Sequence, residues 1–69
     1  MNEMNPRAAL DEAIRRAGGP KQLGKMLGIS RPAVAQWRKC PPTRVLQIEA
    51  LTGVARTALR PDIYPAEPT

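Results

Sequence analysis

The sequence predicts an all-α fold of short helices, on three observations. Apolar residues recur at three- and four-residue spacing wherever a segment is long enough to show a period. Glycine and proline punctuate the chain at the intervals that short helices need. No segment sustains the alternation of a half-buried strand.

Asn5-Pro6 reads as an N-cap followed by proline at the first helical position. Leu10, Ala13, Ile14 and Ala17 then form one apolar stripe of a helix of about three turns. Asp11 and Glu12 are placed toward its start and Arg15 and Arg16 at its end, which suits the helix dipole. Gly18-Gly19 ends it. Pro20 opens a second helix with Leu23, Met26 and Leu27 inward, and Gly28 stops it with the positive φ that a sharp turn requires. Ser30 is the expected N-cap of a third helix over about 32–38, with Pro32 in its first turn. Because a residue before proline avoids helical geometry, Arg31 is the alternative boundary. Pro41-Pro42 breaks that helix, and Pro42 or Thr43 starts a fourth that turns Val45, Ile48, Leu51 and Thr52 inward and ends at Gly53. A last turn around 56–60 contributes Leu59. Residues 1–60 thus form one domain, and 61–69, with three prolines, an extended or disordered tail. The Ile63-Tyr64 pair has two further options, a short edge strand or packing on the core.

At 69 residues the chain holds a limited core. A single cysteine, Cys40, permits no internal disulfide, and with no histidine a structural zinc lacks its usual ligands. Few carboxylates, no histidine and no phosphate-cradling glycine loop argue against an enzyme, and no cofactor is expected. Cys40 has no base or second thiol nearby in sequence and is expected to be an inert residue beside a loop. No apolar run is long enough for a bilayer and no signal peptide is evident, so the cytoplasm is the expected compartment.

The net charge is +5, and its placement is informative. Between Glu12 and Glu49 there is no acid, while Arg15, Arg16, Lys21, Lys25, Arg31, Arg38, Lys39 and Arg44 all fall there. Such a cluster attracts a polyanion, phosphate above all. It is centred on a segment, 21–38, that has the makings of a helix-turn-helix: Gly24 where two helices approach, Gly28 at the turn, and Ile29, Val34 and Trp37 inward. The opposite side of the third helix then carries Arg31, Pro32, Ala35, Gln36 and Lys39. Arginine pairs with guanine and glutamine with adenine in the major groove, while Ala35 and the Pro32 ring suit a thymine methyl. Lys21, Gln22 and Ser30 are placed for phosphate, as are Arg38, Lys39 and Arg44.

The segment LGKMLGISRPAVAQWR resembles the helix-turn-helix of Cro/CI-type phage repressors. The continuation IEALTGVARTALRPDIYP, and Leu59-Arg60-Pro61-Asp62 above all, is similar to the YdaS-type family of Cro-like regulators, often described as antitoxins and found in prophages. The resemblance implies a compact five-helix bundle of lambda-repressor type, dimeric on a near-palindromic DNA operator. It also implies that Arg31, Pro32 and Gln36 occupy base-reading positions. One departure is the loop Lys39-Cys40-Pro41-Pro42, where the family usually has a glycine after the tryptophan. Two functions are therefore expected as alternatives. One is a sequence-specific regulator, a repressor that binds double-stranded DNA as a homodimer and occludes a promoter. The other is an antitoxin whose main partner is a toxin protein, bound through the 61–69 tail. The candidate dimer surface is Leu46, Leu51 and Val54.

Overall fold

The computed structural model describes residues 5–65 and is all-helical over them, with five α-helices and no strand among the described residues. Helix α1 (Pro6–Ala17) begins where Asn5 Oδ1 accepts from the Ala8 amide at 2.7 Å and ends at Gly18, φ 102°, in the left-handed region. There the Gly18 and Gly19 amides return to the Arg15 and Ile14 carbonyls, which satisfies acceptors a helix end otherwise leaves open. Asp11 and Glu12 fall in mid-helix rather than in the first turn, which holds no acid.

Helix α2 (Pro20–Leu27) buries Leu23, Gly24 and Leu27. Its inward stripe is centred on Gly24, which turns Met26 onto the flank, 41% exposed, against the expectation that it would be buried. Gly28, φ 74°, makes the turn. Helix α3 (Arg31–Ala35) is shorter than expected. Ser30 caps it, its Oγ accepting from the Ala33 amide at 3.3 Å, and Pro32 sits in its first turn. Its end tightens at Gln36 and Trp37, where the Trp37 amide bonds the Val34 carbonyl three residues back.

A 3₁₀ turn (Pro42–Arg44) leads into α4 (Val45–Thr52), which ends at Gly53, and α5 (Arg56–Leu59) follows. The core stripe of α4 runs Val45, Ile48, Thr52, so Leu51 lies off it and is 41% exposed, contrary to its expected inward position. Val54 is buried, which removes it from the candidate dimer surface and leaves Leu46 and Leu51 there. The chain past α5 turns back rather than extending. Both the Ile63 and Tyr64 amides donate to the Arg60 carbonyl, and Tyr64 packs against the core under Arg56, whose guanidinium lies 5.7 Å from the ring centre. The rest of the expected tail, 66–69, lies outside the described residues.

The core is Leu10, Leu23, Val34, Val45, Ile48 and Leu59 with Ala9, Ala13 and Cys40, and α1 lies against α2, α4 and α5. Each large aliphatic side chain so buried contributes roughly 1.5–3 kcal/mol. Trp37 is partly buried and packs on this core from the end of α3.

Gly24 decides how closely the turn can approach α2. A Cβ built there would lie 2.7 Å from the Ile29 carbonyl oxygen, and the Ile29 amide bonds the Gly24 carbonyl at 2.9 Å. Backbone cannot rotate out of the way as a side chain can. Gly24→Ala should therefore destabilise the fold although alanine is about 1 kcal/mol the better helix former, because overpacking costs roughly 1–3 kcal/mol and the clash here is with main chain. Thermal unfolding should show a lower Tm, by roughly 4–8 °C per kcal/mol lost; an alanine variant as stable as wild type would contradict the close approach.

Candidate nucleic-acid interface

Five residues make a helix too short to stand alone. Helix α3 is held in place by Val34, 1% exposed, and by packing on α2. With Val34 inward, Arg31 and Ala35, four apart, and Pro32 and Gln36, also four apart, share the outer side and are all exposed. This is the arrangement expected of them from the sequence. Lys21 and Gln22 are exposed in the first turn of α2, and Arg38 and Lys39 are exposed in the loop that follows α3. Ser30 uses its oxygen as an acceptor in capping α3, and its hydroxyl proton is left to donate to an outside acceptor such as a phosphate. Arg44 is half-buried and partly engaged, its Nη1 donating to the Leu27 carbonyl at 3.5 Å and to Gln47 Oε1 at 3.3 Å.

The carboxylates sort the cations. Among the described residues Asp11 pairs with Arg7, Glu12 with Arg15 and Arg16, Glu49 with Arg56, and Asp62 with Arg60. Arg15 and Arg16 thus drop out of the basic cluster read from the sequence. Glu12 closes that acid-free interval on paper, yet one helical turn brings it beside both arginines. What remains without a carboxylate partner among the described residues is Lys21, Lys25, Arg31, Arg38, Lys39 and Arg44. All of these lie in α2, α3 or the segment that leads from α3 to α4.

Two residues that sequence reasoning did not assign hold the segment after α3. Arg7 donates from α1 to the Trp37 carbonyl at 2.6 Å. Arg60, 8% exposed, donates to the Cys40 carbonyl at 3.0 Å and is itself gripped by both Asp62 oxygens at 3.0 and 2.7 Å. The only sequence signal was Leu59-Arg60-Pro61-Asp62 as a marker, and nothing in its spacing says that Arg60 reaches back to Cys40. Cys40 itself is fully buried core rather than a residue merely beside the loop, and burial pushes its thiol up to about 11.

The family model described as bacterial toxin YdaS matches residues 10–68, which takes in the helix-turn-helix, the Cys40 loop and the Arg60-Asp62 pair. The chain belongs to the bacterial toxin YdaS family. The match agrees with the YdaS-type resemblance of the 48–65 segment. No curated protein and no solved structure matches the chain. No described helix is long and apolar enough to cross a membrane.

The ion pairs of this YdaS-family chain fix its response to acid. Hydrogen bonds from Arg15 and then Arg16 hold the Glu12 carboxyl at about 2, well below its ordinary 4.5. The Arg60 hydrogen bonds hold Asp62 at about 2 against 3.8. A carboxyl whose folded pKa is depressed stabilises the fold above its unfolded pKa and loses that contribution as pH falls toward the folded one. Urea midpoints should therefore be level above a pH of about 5 and fall between about 4.5 and 2, and Glu12→Gln should flatten part of that fall. A midpoint in wild type that stays level down to pH about 2 would contradict the pairing.

Proposed function

We propose that this protein is a sequence-specific DNA-binding regulator that lays α3 in the major groove. The observation that carries the reading is the sorting of charge. The cations left without a carboxylate among the described residues lie in α2, α3 and the following segment, around an outer side made of Arg31, Pro32, Ala35 and Gln36. Lys21, Arg38 and Lys39 supply sequence-independent phosphate contacts and Arg31 and Gln36 read base edges. The first turn of α2, where Gln22 is also exposed, has no side-chain cap, which leaves the Lys21 and Gln22 amides for the same phosphates.

The regulator acts as a Cro-like repressor, excluding polymerase from the promoter it covers. A homodimer places two copies of α3 about 34 Å apart on one side of the duplex. Leu46 and Leu51, exposed on α4, are the apolar residues available for that contact.

A second reading takes the antitoxin role from the sequence resemblance, and the family description, bacterial toxin YdaS, supports the link to toxin–antitoxin systems while naming the toxin side. In it the chain belongs to a toxin–antitoxin pair and works by protein contact, as an antitoxin that can also repress its own promoter. Co-expression with the product of the neighbouring gene separates the two, since a contact-only antitoxin rescues growth with Arg31 and Gln36 both replaced by alanine.

Selection of bound DNA from a random pool tests the first reading and supplies its operator. On the selected site Arg31→Ala should weaken binding by roughly 1–3 kcal/mol and relax the preference at one base position. Lys21→Ala should weaken binding to all sequences alike and lower the salt slope by about 1. Should Arg31→Ala and Gln36→Ala both bind the selected site as wild type does, the base-reading assignment is wrong.

A further inference from the structure

The loop from Trp37 to Cys40 is held at both ends by arginines that come from elsewhere in the chain. At its start the Trp37 carbonyl accepts from Arg7 of α1, and at its end the Cys40 carbonyl accepts from Arg60 beyond α5. Between those two anchored carbonyls stand Arg38 and Lys39, both exposed. Arg60 is nearly closed off from solvent at 8% exposure, so it is in no position to touch a phosphate itself. Its partner Asp62 is on the outside, with a side chain 51% exposed, and accepts two hydrogen bonds from Arg60 that set the plane of the guanidinium. A planar fork gripped on one side by a carboxylate has a fixed direction for its remaining N–H, here toward the Cys40 carbonyl.

We propose that the Arg60–Asp62 pair is a positioning device for DNA binding, which fixes the Trp37–Cys40 loop so that Arg38 and Lys39 meet the phosphate backbone already ordered. This rests on the DNA-binding reading above. An exposed lysine or arginine on a loose loop loses conformational freedom when it docks, and a loop already tied at both ends loses less. Asp62 thereby raises affinity for a polyanion although it is itself an anion beside Lys39, whose charge helps to hold its carboxyl low.

That sign is what makes the role testable. By charge alone, Asp62→Asn removes a negative charge and should tighten DNA binding, whereas Arg60→Gln removes a positive one and should weaken it. Positioning requires that both weaken it. The probe is a fluorescently labelled duplex of random sequence, titrated by anisotropy over a range of salt, because phosphate contacts do not depend on sequence. Asp62→Asn should bind roughly three- to tenfold more weakly, with a salt slope smaller by about 1–2. In a background with Arg38 and Lys39 both replaced by alanine, Asp62→Asn should have no further effect, whereas general loss of the folded state would carry through to that background. In the free protein, amide nitrogen relaxation should show Arg38 and Lys39 less ordered in Asp62→Asn than in wild type. Asp62→Asn keeps the argument testable even where Arg60→Gln does not fold, since Asp62 lies on the surface.

Binding by Asp62→Asn that equals or exceeds wild type overturns the inference while leaving the DNA-binding reading intact. So does a loss that persists at full size without Arg38 and Lys39. Failure of wild type to bind any duplex overturns the DNA-binding reading and this inference with it, and the relaxation experiment then reports on the clamp alone.

Discussion

Gly24 carries no side chain, and the backbone of the following turn occupies the space where one would be. The Ile29 amide bonds the Gly24 carbonyl, and the Ile29 carbonyl lies where a Cβ would stand. Every later feature of the helix-turn-helix inherits its place from that contact. The turn at Gly28 sets the direction in which Ser30 starts α3, Val34 finds the core only along that direction, and the outer residues of α3 are outer because Val34 is inner. A five-residue helix has too few internal hydrogen bonds to choose its own position. Contact with α2 chooses it.

Short helices create a second problem, which the arginines solve. Each helix end leaves several carbonyls without an internal partner, so in helices of four to eight residues a large share of the backbone is open. Arg16 and Arg44 donate to such carbonyls, at Thr52 and Leu27, while Arg7 and Arg60 donate to carbonyls of the loop past α3, at Trp37 and Cys40. Three of them also pair with a carboxylate, whereas Arg44 adds the Gln47 amide. The basic residues of this YdaS-family chain therefore divide their work. Some hold the bundle together, and those left over carry the positive charge around α3.

The element order was legible in the sequence because caps and breakers act locally. Asn5-Pro6, Gly18-Gly19, Gly28, Ser30 and Gly53 stand at helix ends for reasons that involve only a few neighbouring residues. The exposed side of α3 was legible too, since Val34 alone fixes its rotation. Met26 and Leu51 were misplaced because periodicity gives a stripe without saying where its centre lies, and in α2 the centre is a glycine. The extent of the basic cluster was misjudged for a related reason. An interval counted along the chain cannot see that Glu12 neutralises Arg15 and Arg16 one turn on. The clamp on the Cys40 carbonyl was not legible at all, because it joins residues twenty apart through a loop and a turn that have no period.

In the proposed function the leftover cations and the outer side of α3 form one DNA-facing surface. Backbone amide chemical shifts followed while a selected duplex is added would test this most directly. Changes should concentrate at Lys21 and Gln22, from Arg31 to Gln36, and at Arg38 and Lys39, with the Glu49–Arg56 pair unmoved. Changes confined to α4 and α5, with α3 silent, would contradict it.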